Sequence, residues 1–318
     1  MLRIEGLNKR FPHVWANRDV SLDVHRAEIH CLLGENGAGK TTLAECLYGT
    51  YRPDSGQVTF MGEPLVLSSP RDAIRAGIGM VHQHFVLAPA LSVVENVIAG
   101  TPTRFIVDKR QEEKRLAKLC KDYGLDLDLR AAISHLSVGE QQWVEILKAL
   151  YLGVDLLILD EPTAVLTPME TDRLFAIVER MKADGLSVIF ITHRLDEVMQ
   201  LSDRVTVLRR GQVMDTVETS QVDKAELARM MVGRDVVFLV EKEPLESGSP
   251  LLEVRDLRVR GDRGQEALRG ISFSVREREI LGVAGVSGNG QRELFEVLVG
   301  VRMPSEGRVL LNGADITY

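Results

Sequence analysis

Gly34-Glu-Asn-Gly-Ala-Gly39-Lys40-Thr41-Thr42 decides the reading of this chain. The stretch matches G-x-x-x-x-G-K-[ST] and lies between an apolar run, 29–33, and a segment that predicts a helix from about Lys40. Gly34, Gly37 and Gly39, with Asn36 among them, let backbone N–H groups turn inward around phosphate oxygens, and the helix start adds positive potential. Lys40 is placed to reach β- and γ-phosphates, and the hydroxyl of Thr41, followed by Thr42, to ligate Mg2+. A glycine-rich turn without ligand is the rival reading, and the agreement of pattern with context disfavours it.

Working outward, Leu156-Leu-Ile-Leu-Asp160-Glu161 reads as a central strand ending in two acids, at the strand end where open α/β sheets bind ligands. Asp160 is expected to hold Mg2+ through water, and Glu161 to orient and deprotonate an attacking water. The runs 29–33, 156–159, 188–191 and 204–208 are continuous rather than alternating, as in parallel strands covered by helices on both faces. Between about 91 and 153 the period becomes helical: Leu116, Leu119, Cys120 and Tyr123 keep one face, and Val144, Leu147, Leu150 and Tyr151 another. An all-helical insert within an α/β core follows.

The chain also repeats itself. Asp19-Val-Ser-Leu-Asp-Val, Gly34-Glu-Asn-Gly-Ala-Gly and Pro53-Asp-Ser-Gly-Gln-Val recur 251 residues later as Gly270-Ile-Ser-Phe-Ser-Val, Gly285-Val-Ser-Gly-Asn-Gly and Pro304-Ser-Glu-Gly-Arg-Val. Residues 1–240 form a complete first unit, 241–250 (rich in Pro, Gly, Ser and charge) a linker, and 251–318 the opening of a second unit, whose stop at Tyr318 is expected to be a fragment's end. In the second loop Gln291 stands where Lys40 would, and Arg292 where Thr41 would, so the cation and the Mg2+ hydroxyl are both missing.

A net charge of −7 and a pI near 5.6 argue against a nucleic-acid partner, which needs clustered Lys and Arg. Cys31, Cys46 and Cys120 form no C-x-x-C pair, which excludes a zinc ribbon and fits a reducing compartment. The charged start Met1-Leu-Arg-Ile-Glu is unlike a signal peptide, and no apolar run approaches the ~20 residues that span a bilayer. The expectation is a soluble protein whose membrane role, if any, comes through a partner. His82 and His84 are not read as metal ligands, because alternate residues of an extended segment point apart.

Leu136-Ser137-Val138-Gly139-Glu140-Gln141-Gln142 resembles the signature sequence of ATP-binding cassette (ABC) ATPases. Ser137 and Gly139 open a helix there, so hydroxyl and N–H groups can face an anion. Gln83, in Met80-Val-His-Gln-His-Phe85, resembles the family's glutamine loop, whose amide contacts Mg2+ and the attacking water. His193, in Ile191-Thr-His-Arg194, resembles the switch histidine on the γ-phosphate. Phe11, in Lys9-Arg-Phe-Pro, is similar to the aromatic that stacks on adenine, with Trp15 as competitor. Thr167 stands where the family's loop aspartate is usual.

The resemblance implies an α/β fold: a P-loop NTPase ABC cassette with a parallel core sheet, an antiparallel β subdomain and an inserted helical subdomain, then a partial second cassette. It implies ATP and Mg2+ as cofactors, the metal shared by Thr41, Gln83 and Asp160, with Glu161, His193 and Gln83 catalytic. A second cassette or a homodimer would supply Ser137, Gly139 and Glu140 in trans. The double layout and the stretch from Gly77 to Asn96 resemble the ATPase subunit of bacterial simple-sugar and nucleoside importers. That places the chain on the cytoplasmic face of the membrane, with transmembrane permease subunits and, through them, a solute-binding protein as partners. The alternatives are a translation-factor-like or DNA-repair-like cassette ATPase, or a non-catalytic ATP-binding module.

Overall fold

A computed structural model describes residues 1–99, 108–233, 247–261, 264–285 and 288–317. The chain divides into two compact units, Met1–Val237 and Phe238–Tyr318. In the first, β1 (Leu2–Phe11) and β2 (Val14–Val24) alternate buried and exposed residues and pair antiparallel, the pattern of a sheet with one solvated face. β3 (Ile29–Leu33) is buried at every position and runs into the glycine loop. α1 (Lys40–Tyr48) starts behind Gly39 and stops at Gly49, both in the left-handed region at φ 101° and 81°. β4 (Ser55–Phe60), β5 (Glu63–Pro64), α2 (Pro70–Ala76) and β6 (Ile78–Val81) follow.

Among the described residues of the stretch expected to be a helical insert lie the α-helices α3 (Val93–Ala99), α4 (Lys109–Tyr123) and α5 (Val138–Leu152). The chain returns through β7 (Leu156–Asp160), α6 (Pro168–Ala183), β8 (Ser187–Thr192), α7 (Leu195–Leu201), β9 (Arg204–Arg209), β10 (Gln212–Glu218) and α8 (Lys224–Val232).

Among the described residues, the strands of this first unit form two sheets. One has the order β2-β1-β4-β5 and is antiparallel throughout. The other has the order β10-β9-β3-β8-β7-β6; its pairs are parallel except at the edge, where β10 runs antiparallel to β9. The expected α/β architecture is present. Continuous apolar strands are needed because each face serves a different core. Ile158, Ile189 and Ile191 pack with α1 and the antiparallel sheet, while Leu157, Leu159, Val188 and Phe190 pack with α5 and α6.

In the second unit β11 (Pro250–Arg260) pairs with β12 (Glu266–Arg276), α9 (Gln291–Leu298) follows, and β13 (Glu306–Leu311) and β14 (Ala314–Asp315) complete a sheet of order β12-β11-β13-β14. Its core gathers Val254, Leu257, Val259, Leu268, Leu294, Val297 and Val309. Adding 251 to the bounds of β4 and β5 gives those of β13 and β14. No strand forms at 280–284, the counterpart of β3, and Ile280 is 91% exposed where Ile29 is 0% exposed. Of the linker read at 241–250, positions 241–246 lie outside the described residues.

Candidate functional site

β3 delivers the chain to the loop at the carboxyl end of the sheet. Gly34 passes so close to β9 that a Cβ there would lie 2.4 Å from the Leu208 carbonyl oxygen. Gly37 and Gly39 hold φ of 81° and 101°, and a Cβ on Gly39 would meet the Ala16 carbonyl oxygen at 2.2 Å. The loop curls around the Lys40 side chain, whose Nζ donates to the carbonyls of Gly34 at 2.7 Å and Glu35 at 3.1 Å. Burial pushes this ammonium below its ordinary range, and the Glu161 and Asp160 carboxylates act the other way.

Asp160 closes β7 and is buried. Burial raises its pKa, opposed first by a hydrogen bond with Thr41. Its Oδ1 is buried without a hydrogen-bond partner. An orphaned carboxylate oxygen beside the Thr41 hydroxyl is a hard-oxygen donor pair that fits Mg2+, which prefers one or two carboxylates and completes its shell from water and phosphate. Among the described residues no group of three or more His, Cys, Asp or Glu could hold a metal ion.

Glu161 holds three motifs together. Its φ of 46° lies in the left-handed region, a strained conformation for this side chain, and its N–H donates to the Ile191 carbonyl at 3.1 Å. The carboxylate stands 3.9 Å from Lys40 Nζ, 3.1 Å from His193 Nδ1 and 3.4 Å from Gln83 Nε2. Phe11, Val14, Ala16, Asn36, Gly37, Gly39, Lys40, Thr41, Thr42, Gln83 and Glu161 line one cavity of about 500 Å³. Phe11 meets Tyr51 edge-on at 5.4 Å, whereas Trp15 is not among the lining residues and lies under Arg10.

The signature residues are placed elsewhere: Ser137, Gly139 and Glu140 sit at the start of α5 and do not line that cavity. Ser137 Oγ accepts the Glu140 N–H at 3.2 Å, and the Glu140 carboxylate accepts the Ser137 N–H at 2.7 Å, a reciprocal cap. Thr167 caps α6 the same way with Glu170. His82 and His84 do part company, but at a bend and not on an extended strand. His82 packs edge-on against Tyr48 and faces Glu45 Oε1 at 3.4 Å, while His84 lines a second cavity with Phe85 and Ile133.

Sequence reasoning missed two buried polar residues. Asn17, 0% exposed, donates from Nδ2 to the Gly39 carbonyl at 3.1 Å and so braces the loop where α1 begins. Glu197 lies under the segments that carry Glu161 and His193. Asn17 left one faint signal, a polar residue at an inward position of an alternating strand.

The family model described as ABC transporter matches residues 17–164 and 268–318. This chain belongs to the ABC transporter family. It is 50% identical over 99% of its length to a glucose import ATP-binding protein of Haloferax volcanii, covering 63% of that protein. It is 45% identical to a nucleoside import ATP-binding protein of Lactococcus lactis, with all of the chain aligned to 63% of the relative. The chain thus spans less than two thirds of the curated relatives it matches. Among solved structures, an ATP-binding cassette of an ABC transporter in its ADP conformation superposes with a TM-score of 0.65 at 26% identity, over 74% of this chain and 99% of that one. A nucleotide-free cassette gives 0.64 at 25% identity, over 74% and 95%.

In the second ABC unit the loop glycines Gly288 and Gly290 keep φ of 90° and 91°, close to Gly37 and Gly39. The chemistry at the helix start differs. Gln291 and Arg292 open α9, and Arg292 pairs with Glu296 at 2.7 Å.

Proposed function

We propose that this chain binds ATP with Mg2+ and hydrolyses it to ADP and phosphate, and that this drives import of a small solute, a nucleoside or simple sugar, through partner membrane subunits. The observation that carries the reading is the position of Glu161, one carboxylate in contact with residues of the P-loop, the glutamine loop and the switch segment at the wall of a single cavity. The names of the relatives support importing a sugar or nucleoside.

The loop N–H groups and Lys40 would hold the β- and γ-phosphates, and Phe11 would meet the base. Thr41 and Asp160 would hold Mg2+, with Gln83 close by; the ion supplies neutralisation of phosphate charge. Glu161 takes a proton from a water as the water oxygen bonds to the γ-phosphorus and the bond to the β-phosphate oxygen breaks. His193, on the same carboxylate, orients it. Ser137, Gly139 and Glu140, away from the chain's own cavity, would serve a nucleotide on a second cassette or another copy. The partners implied are permease subunits and a solute-binding protein, with the chain docked at the cytoplasmic face of the membrane. Among the described residues no helix is long and apolar enough to cross one.

Glu161→Gln tests the base. The variant keeps the shape of the side chain and removes its proton acceptor, so nucleotide should still bind while phosphate release falls by roughly a hundredfold or more. Equal turnover in the variant and the wild type would remove Glu161 from this role.

A further inference from the structure

We propose that Glu197 is a positioning residue of the hydrolytic site, a buried carboxylate that fixes Glu161 and His193 relative to one another; the proposal rests on the ATPase reading above. Glu197 is the third residue of α7 and is 2% exposed. Both its oxygens are used. Oε1 accepts the Thr163 hydroxyl at 2.7 Å and pairs with Arg194 Nη1 at 2.7 Å, and Oε2 accepts the Thr192 hydroxyl at 2.5 Å. Thr163 lies two residues after Glu161, and Thr192 immediately precedes His193. One carboxylate therefore ties the segment leaving β7 to the segment leaving β8, just behind the 3.1 Å contact between Glu161 and His193.

The chemistry makes this tie hard to replace. Thr163 and Thr192 are 3% and 2% exposed, so neither hydroxyl can turn to bulk water for an acceptor. The Thr192 oxygen already accepts the Arg194 N–H at 3.0 Å, so its proton has to go elsewhere, and Glu197 receives it. A glutamine at 197 keeps the volume but offers one accepting oxygen. Its amide would face a hydroxyl that needs an acceptor, and the Arg194 pair would lose its charge. The pairing of β7 with β8 and the Glu161 N–H to Ile191 carbonyl bond also link the two segments, but they fix the backbone and not the loops beyond it.

The P-loop makes no use of Glu197, so a positioning role predicts a split. In Glu197→Gln, kcat should fall roughly tenfold to hundredfold, the loss that a misplacement of about 1 Å produces. KM and nucleotide affinity should stay within about twofold. Thr192→Val should fall in the same way, and Thr192→Ser, which keeps the hydroxyl, should stand far closer to the wild type. A second readout needs no turnover. In chain labelled with 15N-histidine, with His193 assigned through His193→Gln, the Nδ1 signal of His193 should move in Glu197→Gln and Thr192→Val toward its position in Glu161→Gln. If both variants leave that signal where the wild type has it, or if kcat and affinity fall together with the melting temperature, the proposal is overturned. A wild-type chain that hydrolyses no ATP would defeat the ATPase reading instead, and the nitrogen signal would still decide the positioning.

Discussion

Asp160 carries a charge where the fold gives it little support. It is 1% exposed, one of its oxygens has no partner, and burial raises its pKa. A carboxyl whose folded pKa is raised contributes stability below its unfolded value and loses it as pH rises through the folded value, so at neutral pH this side chain works against the fold. Asp160→Asn removes that charge while keeping the shape. Without Mg2+ the variant should melt higher near pH 7.5, and the gap should close as pH is lowered. The same variant should lose the extra stabilisation that Mg2+ adds to bound nucleotide. Differential scanning calorimetry across pH, with and without Mg2+, checks both signs; a lower melting temperature without Mg2+ would contradict the account. Lys40 is the complementary case, a cation held below its ordinary range chiefly by burial and steadied by the Gly34 and Glu35 carbonyls. Lys40→Ala should cost nucleotide affinity at least tenfold, measured by calorimetric titration, because one charge-assisted phosphate contact is worth about 1.5–3 kcal/mol.

The elements around the loop set how far each glycine can change. Gly34 is required by close approach, since a Cβ would press to 2.4 Å on the Leu208 carbonyl of β9, and β3 could make room only by shifting in the sheet. Gly37 has φ of 81° with nothing within 4 Å of where a methyl group would sit, so only backbone strain opposes substitution. Gly37→Ala should cost about 1 kcal/mol in chemical denaturation, whereas Gly34→Ala should cost about 1–3 kcal/mol and weaken nucleotide binding as well. A reversed order would mean that φ governs this loop more than contact with β9 does. Elements of this kind were legible in the sequence because their causes are local. Apolar runs marked β3, β7, β8 and β9, and Ser137 with Gly139 marked the start of α5. The motif residues Lys40, Thr41, Gln83 and Glu161 were legible as a set, and all four line one cavity. Glu197 and Asn17 were not: Arg194 and Thr192 lie near Glu197 in sequence, but the Thr163 partner that ties it to the Glu161 segment is 34 residues away, and the Gly39 partner of Asn17 is 22 away. The bend at His82 to His84 escaped for the same reason: it forms where β6 leaves the sheet, and His82 turns toward Tyr48 and Glu45 of α1.

At the scale of the molecule, the duplicated loop shows that a P-loop is more than its residues. In the first unit β3 is hydrogen-bonded to β8 on one side and β9 on the other, and the loop inherits its position from that grip. In the second unit Gly288 and Gly290 keep the positive φ of Gly37 and Gly39, and α9 buries Leu294 and Val297, yet the stretch 280–284 before the loop is no strand. Ile280, Leu281 and Val283 are 91%, 41% and 57% exposed, so nothing among the described residues of this unit holds that stretch as β8 and β9 hold β3. Restoring the chemistry alone should therefore fail. Gln291→Lys with Arg292→Thr returns the cation and the hydroxyl, and releases Glu296 from Arg292, but leaves the loop unanchored. The wild-type chain should bind one nucleotide, and the doubly substituted chain should also bind one. Placing the same pair of substitutions in a Lys40→Ala background separates the two loops, because any recovered binding must then come from the second. Equilibrium dialysis with labelled ATP and Mg2+ measures the stoichiometry. Two nucleotides per chain, or recovery in the Lys40→Ala background, would mean that Lys and Thr behind Gly288 and Gly290 suffice without the strand, and that the grip of β8 and β9 on β3 is not what makes the first loop bind.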